Sequence, residues 1–389
     1  MEWAATLTAG CALCPAATVA QESGAARDWS QRLVDSTLIR NPDPVHFHHG
    51  WNYSAGLFLF GQYLLYRRTR EPRLLNYIAE YVQAHVDEQG RPGEPIESLD
   101  SILAANLLIV LYEETKANRY KLGAETFRRR FDTYPQTTDG GFWHGNRPER
   151  AWQLWLDGTY MALQFLLRYG RAFGDSAYAN AEAVRQLLVY HKHLKAGRMG
   201  LLYHAYDESG KAAWADPERH CSQIIWCRSL GWYGMMLVDT LDVIPQSHPG
   251  RDDLIAILRE LVKGIAHYQD AQSGLWYEVF DQPGLAGNWT ETSSSAMFTY
   301  IIDLALKRGY ISSHYRKTAR RGYRGVMSRI SLDSDGMTDI AGICVGTNVG
   351  DLNWYLARPR QNNDPHGLGA FLLMYEEWNH STSSMRFKV

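Results

Sequence analysis

Asp157 stands in the run Trp152-Gln-Leu-Trp155-Leu-Asp157-Gly158-Thr-Tyr160-Met161, one carboxylate among two tryptophans and a tyrosine. The apolar Ala162-Leu-Gln-Phe-Leu-Leu follows directly. Leaving water disfavours a charged carboxylate, so the sequence predicts a raised pKa, which is what a general acid needs near neutrality. The same side chain could instead cap a buried helix by accepting its first N–H groups. A second acid, Asp100 in Glu97-Ser-Leu-Asp100-Ser-Ile-Leu, also opens an apolar run. Facing carboxyls drive each other's pKa apart, so that one keeps its proton. Paired carboxylates are ordinary glycosidase equipment, although two helix caps in corresponding loops would give the same pattern.

Arg228 lies in Trp226-Cys-Arg228-Ser-Leu-Gly231-Trp232. A guanidinium between tryptophans beside a buried helix is costly unless it meets an anion. That anion could be a substrate carboxylate, held in bidentate fashion, or an internal Asp or Glu. His144 and His204 sit at polar loop tips, where each could bond a sugar or simply complete a loop. His46-Phe-His48-His49 has no Cys, Asp or Glu at ligand spacing to complete a metal site. A polar pocket rim or plain structure fits it better. Cys11-Ala-Leu-Cys14 lacks a second pair and a βαβ setting, so redox or zinc use is not expected. No phosphate-cradling glycine loop precedes a helix, and no Gly-x-Ser-x-Gly elbow occurs.

The elements that must position these residues alternate in kind. Asp28–Ile39, Pro72–Val86, Tyr120–Phe131, Ser176–His193, Asp252–Ala271 and His314–Arg329 are amphipathic at helical spacing. Trp51–Tyr66, Leu99–Tyr112, Leu156–Tyr169, Ile224–Leu241, Ser294–Leu306 and Gly367–Trp378 are apolar nearly all round, as helices buried on every side are. Six half-exposed helices around six buried ones make an all-α (α/α)6 toroid. The segments Gly141-Phe-Trp143-His144, Gly200-Leu-Leu-Tyr203-His204 and Gly274-Leu-Trp276-Tyr-Glu278 each fall between an outer helix and the next inner one. Their tips should line one mouth, with short strands expected over Leu201–Tyr206 and Leu275–Phe280 at the rim. No linker splits the chain, so residues 27–380 are expected to form one catalytic domain between an N-terminal extension, 1–26, and a tail, 381–389.

The formal net charge of −2 argues against nucleic acid or an anionic membrane as the main partner. No run reaches the ~20 apolar residues of a membrane span. Aromatic residues make up 12% of the chain, and their rings stack on sugars as readily as they fill cores. Thr18-Val-Ala20 resembles a cleavage site, but no Lys or Arg precedes it and Glu2 is acidic, so a cytoplasmic location is expected, with secretion the alternative. Asn52-Tyr-Ser54, Asn288-Trp-Thr290 and Asn379-His-Ser381 have the form of glycosylation acceptors. Oligomeric state stays open.

Several of these segments, in order from about residue 50 to the C-terminus, carry a resemblance. They are Trp51-Asn-Tyr53 with Gly56, Leu99-Asp100-Ser-Ile with Leu111-Tyr-Glu-Glu-Thr115, Gly141-Phe-Trp-His144, Trp155-Leu-Asp157-Gly158-Thr-Tyr-Met161, Trp226-Cys-Arg228-Ser-Leu-Gly-Trp232, Glu291-Thr-Ser-Ser-Ser-Ala-Met297, and Gly346-Thr followed by Gly367-Leu-Gly-Ala. Together they resemble the unsaturated rhamnogalacturonyl hydrolases of glycoside hydrolase family 105 and, more remotely, the unsaturated glucuronyl hydrolases of family 88. The resemblance implies the same toroid and removal of a 4,5-unsaturated uronic acid from lyase-generated oligosaccharides. It implies Asp157 as the acid that protonates C4 and helps activate water for C5, with Asp100 as its partner. It implies that Arg228, Trp232 and His204 shape the uronate pocket, with Tyr53, His144 and Trp155 around it, and that no metal or other cofactor is needed. Two departures stand out. Gly145-Asn146 follows the loop histidine where relatives often carry a basic residue, and Cys227, Ser229 and Leu230 interrupt a Trp-Arg-Gly-Asn-Gly-Trp pattern. Both put the preferred sugar, galacturonyl or glucuronyl, in doubt.

Overall fold

The computed structural model describes residues 28–381 and Phe387. Cys11, Cys14 and the cleavage-like segment lie outside the described residues. The helices alternate outer and inner along the chain. Outer α1 (Trp29–Arg40) is followed by inner α2 (Tyr53–Thr69), outer α3 (Pro72–His85), inner α4 (Asp100–Leu103) with α5 (Asn106–Thr115), and outer α6 (Asn118–Arg130). Then come inner α7 (Gly158–Phe173), outer α8 (Ser176–Leu194), inner α9 (Cys227–Val243), outer α10 (Arg251–His267), inner α11 (Thr292–Lys307) and outer α12 (Arg316–Met327). The short rim helix α13 (Leu352–Leu356) precedes the last inner helix, α14 (Pro365–His380).

The two kinds differ as their residues dictate. In α3, Pro72 starts the helix with its fixed φ, and Leu74, Tyr77, Ile78, Tyr81 and Val82 form one buried stripe at spacings of three and four. In α9 every residue from Cys227 to Leu241 is buried. The inner helices touch in a closed ring: α2 meets α4 and α5, these meet α7, then α9, α11 and α14 follow, and α14 returns to α2. Outer helices cover the seams, as α8 does for α7 and α9. The core lies between the two rings, where Leu108, Leu163, Leu237, Ile301 and Leu372 are fully buried. Each such side chain contributes about 1.5–3 kcal/mol. This is the expected (α/α)6 toroid.

One inner element departs from expectation. Leu99–Tyr112 is not a single helix but breaks at Ala104–Ala105 into α4 and α5. Two contacts account for the break. A Cβ on Gly56 of α2 would lie 2.6 Å from the Ala104 Cα, so the two backbones touch there. Asn106 Nδ2 donates to the Leu103 carbonyl at 2.8 Å, competing with the helical bonds.

Among the described residues the strands form four two-stranded antiparallel pairs. β1 (Gln153–Trp155) pairs with β2 (Ala205–Asp207), and β3 (Trp276–Tyr277) with β4 (Thr290–Glu291). β5 (Ile330–Leu332) pairs with β6 (Thr338–Ile340), and β7 (Ile343–Cys344) with β8 (Arg360–Gln361). The expected rim strands are thus shorter, and the first is shifted toward Asp207. Trp155 pairs with Ala205 across β1 and β2, which ties the loop before α7 to the loop that carries His204.

The amide nitrogens of all three glycosylation triplets are engaged. Asn52 bonds the His48 and Gly50 carbonyls, Asn288 those of Val279 and Gln282, and Asn379 the Tyr375 carbonyl. Among the described residues no helix is long and apolar enough to cross a membrane.

Candidate active site

Inner helices that all begin at one end bring their first residues together. Tyr53 opens α2, Asp100 opens α4, Asp157 immediately precedes α7, Trp232 lies in the second turn of α9, and His366 lies in the first turn of α14. These residues, with His144 and Trp155 from the rim loops, line one cavity of about 290 Å³. Its remaining wall includes Arg150, Trp226, Trp354, Arg358 and the loop residues Gly346, Thr347 and Asn348.

Neither aspartate acts as a side-chain cap: Asp157 is the N-cap residue of α7, but its carboxylate takes none of the helix N–H groups. The capping alternative therefore fails for Asp157, and Asp100 likewise makes no side-chain cap bond. One ligand atom each from Asp100, His144 and Asp157 lies within 4.8 Å of the others, so the two carboxylates do meet across the pocket. Asp100 Oδ2 sits 3.3 Å from His144 Nε2 and 3.6 Å from Arg150 Nη1. His144 stacks on Trp155 with ring centroids 4.4 Å apart and planes 6° from parallel. Its backbone is pinned on both sides, with N–H donating to the Gln153 carbonyl at 2.7 Å and C=O accepting from Leu99 at 2.9 Å. Gly158 makes the crowding possible: a Cβ there would lie 2.9 Å from Leu99 Cδ1 and 3.3 Å from His144 Nδ1.

Several buried polar atoms here have no hydrogen-bond partner: Asp100 Oδ1, Asp157 Oδ1, His144 Nδ1 and His204 Nε2. Buried polar atoms are nearly always satisfied, so a cluster of orphans marks a place built for something else. The three-residue group Asp100, His144 and Asp157 has a spacing that a divalent cation could use. Asp100, however, already has His144 and Arg150 as cationic or hydrogen-bonding neighbours.

The expected rise in the Asp157 pKa is corrected. Burial does push the carboxyl up, but the His204 ring nitrogen, 3.5 Å from Oδ1, and the nearby His144 ring outweigh it. The carboxyl lies below its ordinary range. Burial holds His204 itself low against the pull of Asp157, so the ring is neutral at pH 7. Its Nδ1 meets the Tyr355 hydroxyl at 2.6 Å, and burial pushes the Tyr355 pKa up, so that hydroxyl keeps its proton. The consistent tautomer has Tyr355 donating to Nδ1 and Nε2–H aimed at Asp157.

Two of the eight expected site residues do not line the cavity. His204 is fully buried behind Asp157 and orients it, rather than shaping a uronate pocket. Arg228 is also fully buried, and its terminal nitrogens are spent on the Cys344 and Val345 carbonyls at 2.6 and 2.8 Å. Glu291 balances its charge from 3.9 Å. Of the two anions the sequence allowed, the internal one is present, so Arg228 is not a direct carboxylate clamp but the brace that holds the wall strand β7. The adjacent Glu278 accepts from Trp226 Nε1 at 2.9 Å, and burial beside Glu291 pushes its carboxyl up to about 7.

The cations that face the cavity are ones the motif reading passed over. Arg150 lies over the Trp155 ring at 4.6 Å and donates to Asn348 Oδ1 at 3.0 Å, bridging two rim loops. Arg358 lies over Trp354 at 4.7 Å and donates to the Gly346 carbonyl. His366, oriented by Asp364 at 2.6 Å, faces Tyr53 with centroids 5.5 Å apart. The only hint of it was its place before Gly367-Leu-Gly-Ala. Of the histidine triplet, His46 pairs with Asp43, and His48 stacks on Phe47 away from the pocket lining.

The model of glycosyl hydrolase family 88 matches residues 29–381. Protein Atu3128 of Agrobacterium fabrum is 34% identical over 235 residues, 56% of this chain and 97% of that protein. A glycoside hydrolase from family 105 of C. acetobutylicum ATCC 824 superposes with a TM-score of 0.85 at 32% identity, covering 90% of this chain and 99% of that one. The unsaturated glucuronyl hydrolase of Bacillus sp. GL1 shares the fold, with a TM-score of 0.68 at 13% identity over 91% of this chain and 98% of its own.

Proposed function

The chain belongs to glycosyl hydrolase family 88 and is a glycoside hydrolase, and from that premise we propose that it removes a 4,5-unsaturated uronic acid from the non-reducing end of lyase-generated oligosaccharides. One observation carries the reading: a single cavity presents the Asp157 carboxyl, backed by His204, together with the two guanidinium groups of Arg150 and Arg358. A carboxylate-bearing sugar needs both. The cavity is at the small end of ligand pockets, which run from about 300 to 1,000 Å³, and this suits a terminal sugar.

In the reaction the substrate carries a C4=C5 double bond conjugated with its carboxylate. Protonated Asp157 gives its proton to C4, and the positive charge that develops at C5 is shared with the ring oxygen. The resulting carboxylate of Asp157 takes a proton from water as the water oxygen bonds C5. The product is a hemiketal, which opens to a ketone and releases the remaining saccharide, with one water consumed. Asp100, flanked by His144 and Arg150, bonds the sugar. Tyr53, Trp155 and Trp232 enclose the ring, and Arg150 takes the carboxylate that was first ascribed to Arg228. His204 fixes the Asp157 carboxyl in line. The terminal sugar is galacturonyl or glucuronyl, and the fragments below separate the two.

The experiment is to incubate the protein with lyase-generated fragments of pectin, glucuronan and arabinogalactan and follow the ultraviolet absorbance of the conjugated double bond. Loss of that absorbance together with sugar release supports the reading. Sugar release with the chromophore intact would mean an ordinary glycosidase, which the close carboxylate spacing makes the second reading. Binding without turnover would mean a carbohydrate-binding scaffold.

A further inference from the structure

Each of the other outer helices pairs at least one cation with a carboxylate, and among the described residues α12 pairs none. Arg40 of α1 meets Asp333 and Asp339, Arg73 of α3 meets Asp35 and Glu71, Arg128 of α6 meets Asp132 and Asp175, and Lys192 of α8 meets Asp139. Helix α12 reads Arg-Lys-Thr-Ala-Arg-Arg-Gly-Tyr-Arg-Gly-Val-Met, five cations and no acid. Arg321 donates to the Asp270 carbonyl. Arg316, Lys317, Arg320 and Arg324 are exposed. Among the described residues none of the five has a carboxylate within 4.0 Å. Arg316, Arg320 and Arg324 follow one another at four-residue spacing, where like charges repel. Arg316 and Lys317 also occupy the first turn, where the helix dipole is unfavourable to cations.

This helix borders a cleft of about 240 Å³, at the seam with α11 and α14. Arg316 and Arg320 form one side, Lys307 and Asp303 the other, and Trp378 contributes an aromatic wall. Trp378 stacks on Tyr323 of α12, centroids 4.4 Å apart and planes 10° from parallel, and is half-buried. The one acid in the cleft is already answered, since Lys307 holds Asp303 at 2.7 Å and Glu377 at 3.0 Å. Lys307 ends α11 and Trp378 lies in the last turn of α14. The catalytic pocket lies at the opposite ends of these sixteen-residue helices, roughly 24 Å away.

We propose that this cleft and the cationic face of α12 form a second, non-catalytic site for an acidic polysaccharide. The sugar's apolar face lies on Trp378, and Arg316 and Arg320 take carboxylates along the chain. Cations repeated along one line match an anion repeated along a polymer better than a single small anion. The choice of a polyuronate rests on the proposed function. Its role is to hold the enzyme on the polymer from which its small substrates are cut.

The test is titration calorimetry with a long saturated oligogalacturonide, which has no double bond to be turned over. Wild type, the Arg316→Gln/Arg320→Gln double variant and Trp378→Ala are compared, with neutral galactan, single-stranded DNA and phosphatidylserine vesicles as other ligands. The expected result is saturable binding to the oligogalacturonide alone, weakened about tenfold or more in the double variant and also in Trp378→Ala. Turnover of an unsaturated disaccharide should be the same in all three proteins. Absent binding, binding unchanged in the double variant, or equal binding of DNA or vesicles overturns the proposal. The double variant changes only exposed side chains, so it stays folded and decides the matter even if Trp378→Ala does not fold. Disaccharide turnover reads the proposed function separately: turnover without polymer binding sinks this site alone, and polymer binding without turnover sinks the hydrolase reading alone.

Discussion

Trp226 separates two buried polar clusters, bonding Glu278 on one side and packing on His204 on the other. On one side Glu291 accepts from the backbone N–H groups of Ser293, Ser294 and Cys344, Glu278 accepts from Trp226, Cys227 and Cys344, and Arg228 gives both terminal nitrogens to carbonyls. On the other side Asp100, His144, Asp157 and His204 each leave an atom without a partner. Both clusters hold carboxylates among aromatic rings at inner-helix N-termini. The first is a brace, because its carboxylates and the Arg228 terminal nitrogens are all bonded, leaving only Arg228 Nε unmet. The unfilled one suits the proposed substrate site, because its unmet donors and acceptors are free to take a ligand.

That contrast can be broken by substitution. The largest expected effect is from Asp157→Asn, which removes the transferable proton while keeping shape. kcat should fall by about 10³-fold or more, near the 10²–10⁴-fold range typical of general acid–base groups, with the melting temperature barely moved. Near-normal turnover would put the chemistry elsewhere. Arg228→Met should do the reverse. Removing one partner of a buried charge pair costs about 3–5 kcal/mol, so the variant should melt far earlier. A stable variant that only loses substrate affinity would restore Arg228 as a direct ligand. Arg150→Gln should raise KM about tenfold and leave kcat nearly unchanged, as loss of an interaction made equally in ground and transition states does.

The smallest effect is in the pH profile. In the proposed reaction Asp157 must be protonated to act, and the contacts from His204 and His144 hold its pKa low, so kcat/KM should rise as pH falls. His204→Asn removes the principal lowering contact. The carboxyl then keeps its proton to higher pH, and the falling limb of the profile should move toward neutrality. A limb that stays in place would mean that His204 does not tune the acid.

Most of the architecture was legible because a period of 3.6 shows in single helices, and only helices buried on all sides lose their polar face. The break between α4 and α5 was not, since it arises from the approach of Gly56 to Ala104, residues on different helices. The aspartates were legible because the repeat itself brings inner-helix starts together. Arg228 misled because its partners, the carbonyls of Cys344 and Val345, lie over a hundred residues along, where backbone groups leave no mark in a sequence. Arg150 escaped notice for the opposite reason. In Arg147-Pro-Glu-Arg150 it looks like a solvated loop charge, and only the fold lays it over Trp155.

The packing of α14 against α2 has a consequence for how the protein is made. Arg68 holds Glu376 from 308 residues away, and His366 and Arg358 reach the cavity only from the final stretch of chain. Translation from the N-terminus therefore yields five-sixths of a ring with an open seam and no complete cavity. Until α14 has emerged a nascent chain carries that exposed apolar seam, so the cavity is completed only when α14 docks between α11 and α2.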